Sequence, residues 1–241
     1  MRPRQKVIWA AGVTLLVVVA FLAYFYSQMQ AQSKNEDPLY WEKETRLIGE
    51  RYGGDYPQDV IVFFGSSSIR KWESLEEDMA PVHVVNHGFG GSKVADATFY
   101  TDRLVFPFKP KAIVIFSGTN DINGIEGNNK SGEEVYYLVV DLFDTIQTTM
   151  PDVPVFYISI SPTKARWKVW EDAQTANQLI AAYAEENENI TFIDTTYALL
   201  NNQMEPNMDL FVWDGLHLNE DGYAVWTSII KPILDVELMQ K

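Results

Sequence analysis

Five short apolar runs, each followed by a helical stretch, constrain this chain more than any other feature. The runs cover residues 60–64, 82–86, 111–116, 153–160 and 190–194 and are rich in Val, Ile and Phe. They lack the strict polar alternation of a half-solvated strand, which is the pattern of strands buried on both faces. Residues 67–79 carry helix formers with Ile69, Trp72 and Leu75 at helical spacing. Further helices are expected over about 39–50, 94–105, 133–149, 168–186 and 220–239, the first with Leu39, Lys43, Leu47 and Ile48 near one face. Strands joined through helices must run parallel, with helices covering both faces of the sheet. The expected fold is therefore α/β: a three-layer α/β/α sandwich on a five-stranded parallel sheet of flavodoxin type. With 241 residues, 46% of them hydrophobic, the chain is long enough for one sizeable core.

In an open parallel sheet the carboxyl ends of the strands lie along one edge, where ligands and chemistry collect. Three runs end in clusters suited to that edge: Gly65-Ser66-Ser67-Ser68, His87-Gly88-Phe89-Gly90-Gly91-Ser92 and Ser117-Gly118-Thr119-Asn120-Asp121. Each has a plain structural reading. The serines can cap a helix, and Asn120-Asp121 can form an ordinary turn. The glycine cluster can be a simple loop, and its spacing departs from the dinucleotide fingerprint G-x-G-x-x-G. A fourth segment, Trp213-Asp214-Gly215-Leu216-His217-Leu218, places a carboxylate three residues before a histidine. An imidazole that serves a serine as base needs a carboxylate on its other nitrogen, and a D-x-x-H turn can supply one. A surface Asp beside a packed His is the alternative there.

In this order the four blocks resemble the SGNH hydrolases, the GDSL-type esterases and lipases, over about residue 41 to the C-terminus. They are most similar to a branch whose first block reads G-S-S-S-I-R, here Gly65 to Arg70. The later blocks correspond to Asn86–Ser92, Gly118–Asp121 and Asp214–Leu218. The resemblance implies a nucleophile at Ser67, ahead of its neighbours Ser66 and Ser68. It implies a general base at His217 oriented by Asp214. It also implies an oxyanion hole from the backbone amides of Ser67 and Gly91 and the side-chain amide of Asn120. Ser66 stands where many members have Asp, so the hydrogen bonding around the nucleophile should differ. Outside these blocks, His83 is read as a structural strand residue and Asp194 as a turn or cap. His87 could pack or meet substrate. Arg166, Trp167 and Trp170 could line a pocket or pack a helix.

The expected reaction is hydrolysis of a carboxylic ester through an acyl-enzyme, with no metal and no organic cofactor. The substrate would be a small-molecule, polysaccharide or lipid acyl ester. An O-acyltransferase acting on envelope carbohydrate, and a non-catalytic carbohydrate-binding relative, are the alternatives. The formal net charge of −14 argues against a nucleic-acid partner, which requires a basic face. With no cysteine, disulfides and thiolate chemistry are excluded.

Residues 1–26 differ in kind. Arg2, Arg4 and Lys6 precede Val7 to Tyr26, which contains no charge and is long enough as a helix to cross a hydrocarbon core. The reading is an uncleaved transmembrane anchor with an exported hydrolase domain, periplasmic or extracellular. A cleaved signal, which would make the domain secreted, is the alternative. Residues 27–38 read as a polar linker and 39–241 as the hydrolase domain. Nothing in the sequence specifies an oligomeric state.

Overall fold

The structure, a computed structural model, describes residues 13–21, 23–24, 27 and 35–239. The chain divides into two compact units, Met1–Glu36 and Asp37–Lys241. In the first, residues 13–21, 23–24 and 27 are helical, and apolar side chains such as Leu15, Leu16 and Phe21 are exposed. Much of the expected anchor lies outside the described residues. Among those described, no helix is long and apolar enough to cross a membrane.

The second unit holds a five-stranded parallel sheet in the order β2-β1-β3-β4-β5. The strands are β1 Ile61–Gly65, β2 Val84–Gly88, β3 Ala112–Phe116, β4 Val155–Ile158 and β5 Ile190–Ile193. Every residue of β1 and β3 is buried. Because successive side chains point to opposite faces, Val62 and Phe64 enter one core and Ile61 and Phe63 the other. The helices are α1 Glu42–Glu50, α2 Ser67–Arg70, α3 Leu75–Asp78, α4 Val94–Phe99, α5 Thr101–Leu104, α6 Gly132–Thr149, α7 Trp170–Glu185 and α8 Glu220–Met239. The first core takes residues of α1 and α4 to α7; the second takes residues of α2, α3 and α8. The chain leaves β1 in one direction to reach β2, then crosses over to β3 on the other side of β1. That reversal opens a crevice at the carboxyl ends of β1 and β3.

Several expected boundaries shift. The continuous helix over 67–79 is two short pieces, α2 and α3, separated around Trp72. The apolar spacing nevertheless marks the core, since Ile69, Trp72 and Leu75 are all buried. Trp72 stacks on Tyr223 at 5.2 Å, and its indole nitrogen donates to Asp78. Anchoring that ring takes precedence over helix continuity. The helix over 94–105 likewise breaks at Tyr100, whose hydroxyl donates to the Pro38 carbonyl. The segment expected to begin a helix at 168 is preceded by a 3-10 turn, Lys164–Val169. Strand β2 begins at Val84, so His83 precedes the strand and is exposed; its reading as a structural strand residue is corrected. Of the residues expected near one face of the first helix, Leu39, Lys43, Leu47 and Ile48, only Ile48 is buried. Leu39 and Leu47 are exposed, while Trp41, Thr45 and Ile48 are buried, because the Trp41 indole closes over the β2 loop.

Candidate active site

Strand β1 ends at Gly65, and Ser66 follows in extended conformation as the N-cap of α2. Its side chain makes no capping bond, so the cap reading of the serines holds for the backbone alone. A one-turn helix has only a slight dipole, so it adds little positive field at Ser67. Ser67 is the first residue of α2 and is 8% exposed. The turn is held from three sides. The Asn86 side-chain amide donates to the Ile69 carbonyl, the Tyr223 hydroxyl of α8 donates to the Ser68 carbonyl, and the Ser66 amide donates to Phe116 O on β3. These bonds fix the backbone beneath the Ser67 side chain. Asn86 carried a sequence signal, since it opens the second block. Tyr223 carried none, because its partner is 155 residues away.

His217 reaches Ser67 from the loop before α8, with Nε2 2.9 Å from the serine Oγ. Its Nδ1 lies 2.6 Å from Asp214 Oδ2, while Asp214 Oδ1 accepts the amides of Leu216 and His217 at 2.9 and 3.0 Å. This side chain closes its own turn, and the D-x-x-H spacing suffices to build it. Gly215 sits at φ +61, where a side chain would be strained, and a Cβ there would lie 3.2 Å from Lys164 Cβ. The loop is a narrow hairpin: the Val212 amide donates to His217 O, and Phe211 bridges Leu218.

The electrostatics favour a neutral imidazole next to an ionised carboxylate. Burial lowers the His217 pKa below its ordinary value, opposed by the Asp214 hydrogen bond and aided by the charges of Lys71 and Arg70. Burial alone would raise the Asp214 pKa. The His217 and Leu216 amides and the imidazole outweigh it and hold the carboxyl below its ordinary value. With Nδ1–H directed at Asp214, Nε2 presents a lone pair to Ser67, the arrangement a general base requires.

The second and third clusters arrive on the adjoining strand ends. Asn120 donates one Nδ2 proton to the Ser92 carbonyl at 3.0 Å, which fixes its amide and leaves the second N–H to offer. Among the described residues, the amides of Ser67 and Gly91 are engaged by no hydrogen bond. The glycine loop is clamped from α1: Glu44 Oε1 accepts the Gly90 amide at 3.0 Å, and the Trp41 ring lies over Gly90. A Cβ on Gly90 would be 1.7 Å from that ring, so only glycine fits. Neither clamp residue stands out in the sequence, because the contact is non-local. Asp121, fully buried behind Asn120, accepts the Val94 amide at 3.0 Å and ties this loop to the start of α4. Burial pushes its pKa up to about 7.

The remaining candidates separate cleanly. His87 is buried away from Ser67, with Nδ1 2.6 Å from the Leu104 carbonyl, Nε2 2.8 Å from the Tyr52 hydroxyl, and Phe108 against the ring. Burial lowers its pKa to about 4, so it is a neutral packing residue rather than a substrate contact. Asp194 accepts the Thr196 amide and is a turn residue, as expected. Trp170 packs partly against the first core and stacks on Trp167 at 5.9 Å. Trp213, beside Asp214, is 90% exposed. Among the described residues no group of three or more His, Cys, Asp or Glu side chains is placed to hold a metal ion.

A sequence model of the GDSL-like lipase/acylhydrolase family matches residues 47–225. The chain is 24% identical over 207 residues to the N-acylneuraminate cytidylyltransferase of Escherichia coli O18:K1:H7, and it spans 47% of that protein's length. Among solved structures, a Streptococcus pneumoniae protein named for platelet activating factor superposes with a TM-score of 0.69 at 20% identity. That match covers 88% of this chain and 99% of the other. A GDSL-like lipase from Bacteroides thetaiotaomicron superposes at 0.65 with 19% identity, covering 78% of this chain and 98% of that one.

Proposed function

We propose, from the premise that this chain belongs to the GDSL-like lipase/acylhydrolase family, that it is a serine hydrolase of carboxylic esters. In this reading Ser67 is the nucleophile, His217 the general base and Asp214 the orienting acid. The observation that carries it is the unbroken line from Ser67 Oγ to His217 Nε2 and from His217 Nδ1 to Asp214, at 2.9 and 2.6 Å.

Those distances support the following steps. Ser67 Oγ attacks the ester carbonyl while its proton passes to His217 Nε2, and the imidazolium formed is stabilised by the Asp214 carboxylate. The carbonyl oxygen becomes an oxyanion and is met by the amides of Ser67 and Gly91 and by Asn120 Nδ2–H. Collapse breaks the bond to the alcohol oxygen, which takes the proton from Nε2 as it leaves. Water then attacks the acyl-enzyme, giving a proton to Nε2 that returns to Ser67 as the acid departs. On its sequence pattern, we place the domain on the outer side of a membrane behind the segment 1–26.

The test is hydrolysis of short-chain 4-nitrophenyl esters by purified full-length protein and by Ser67→Ala, alongside labelling with a fluorophosphonate. Ser67→Ala should lose both turnover and labelling while keeping its melting temperature. Retention of most of the activity would exclude Ser67 as nucleophile.

A further inference from the structure

Arg166 is a half-buried cation with no carboxylate beside it. It lies in the 3-10 turn Lys164–Val169 after β4, a segment that joins the two halves of the site. On one side, the Ala165 amide donates to Gly215 O, within the loop that carries Asp214 and His217. On the other, Arg166 Nη1 donates to the Asn123 carbonyl at 2.9 Å, and Asn123 Nδ2 donates to the Asn120 carbonyl at 3.0 Å. The guanidinium is therefore two hydrogen bonds from the residue that offers the Asn120 amide.

Its own hydrogen bonding is incomplete. Arginine has five N–H donors. Among the described residues the only acceptor for them is the Asn123 carbonyl, and Nε is buried with no partner. Burial works against the charge, and a desolvated guanidinium is ordinarily paired. Elsewhere in the domain, Arg46 pairs with Glu50, Arg103 with Glu42 and Arg70 with Glu44, while Arg51, which is exposed to water, needs no partner. Arg166 forms no such pair in a chain with a formal net charge of −14. The Nη2 end of the guanidinium is not enclosed, and it is left to hydrogen-bond a carboxylate. Lys71, after the nucleophile, adds a further positive charge near His217.

We propose that Arg166 is a specificity-determining residue that receives a carboxylate borne by the ester substrate, so that the enzyme acts on anionic esters. This rests on the esterase reading above and adds the class of substrate. The guanidinium takes no part in bond breaking; it holds the anionic end of a substrate whose carbonyl lies at Ser67.

The experiment uses matched ester pairs on the full-length protein. One pair carries the charge on the acyl side, 4-nitrophenyl hydrogen succinate against its uncharged methyl ester. The other carries it on the alcohol side, 4-acetoxybenzoate against methyl 4-acetoxybenzoate. Wild type should prefer the charged member of at least one pair. A hydrogen bond to a charged group is worth about 1.5–3 kcal/mol, so Arg166→Met should lower kcat/KM for that member about 10–100-fold relative to its neutral mate. The loss should fall mainly on KM, and Arg166→Lys should recover part of it. In wild type alone, added salt should weaken turnover of the charged member more than that of its mate, a readout independent of how the variant folds. No preference for a charged ester in either pair would overturn the proposal, as would equal losses on both members in Arg166→Met. If Ser67→Ala still hydrolyses every ester, the esterase reading itself fails, whatever Arg166 does.

Discussion

Replacing Asp214 by Asn removes one charge while leaving most of the local structure in place. Asp214 Oδ1 accepts the Leu216 and His217 amides, and an asparagine carbonyl oxygen can accept both in the same turn. The other end of the side chain changes character. Where Oδ2 now faces His217 Nδ1 at 2.6 Å, an NH2 group would stand, and it can only donate. The imidazole must then carry its proton on Nε2, so the nitrogen 2.9 Å from Ser67 becomes a donor and cannot accept the serine proton. The imidazolium formed on attack also loses its compensating charge. In serine hydrolases built this way the combined loss is about 10⁴ in kcat, or about 5 kcal/mol of transition-state stabilisation. Asp214→Asn should therefore turn over 4-nitrophenyl acetate about 10⁴-fold more slowly, with KM little changed and a melting temperature within a few degrees of wild type. Asp214→Ala should match it in rate but melt lower, since it also strips the two amides of their acceptor. A folded Asp214→Asn that keeps more than a tenth of wild-type kcat would refute the reasoning from tautomer and charge.

Asn120→Ala removes the side-chain donor proposed for the oxyanion and should lower kcat about 10²–10³-fold with little effect on KM; a loss under fivefold would remove Asn120 from that role. Because burial and the nearby cations hold the His217 pKa below its ordinary value, the acid limb of kcat/KM should have its midpoint below about 6.5. Activity is full above that midpoint, where the imidazole is neutral, and is lost as the pH falls through it; a midpoint above 7 would contradict the burial argument. For Asp121 the sign runs the other way. Its folded pKa of about 7 lies above the ordinary 3.8, so the side chain costs nothing at low pH and costs progressively more as the pH rises through that window. The full cost is about 4 kcal/mol, and Asp121→Asn should stabilise the protein by about 2–3 kcal/mol more at pH 8 than at pH 5 in urea unfolding. An equal effect at both pH values would show that the carboxyl is not desolvated.

Much of this molecule is legible along the chain because its causes are local. A run such as Ile61–Phe64, short, β-branched and aromatic and closed by a glycine, reads as a strand covered on both sides. The Asp214–His217 turn is legible for the same reason, since carboxylate, amides and imidazole lie within three residues of one another. The order of the four polar clusters was readable too, because a parallel sheet with crossover helices delivers every strand end to the same edge. Contacts between distant segments were not readable. Ser67 meets His217 across 150 residues, and no spacing encodes that distance; the reversal of strand order at β1 produces it. The exchange of helix continuity for the burial of Trp72, the closure of Trp41 over Gly90 and the placing of Arg166 between Asn123 and the Gly215 loop are of the same kind. Periodicity and turn chemistry act over one or two turns of chain and so specify the elements and their polar ends. Which of those ends touch depends on how the layers pack.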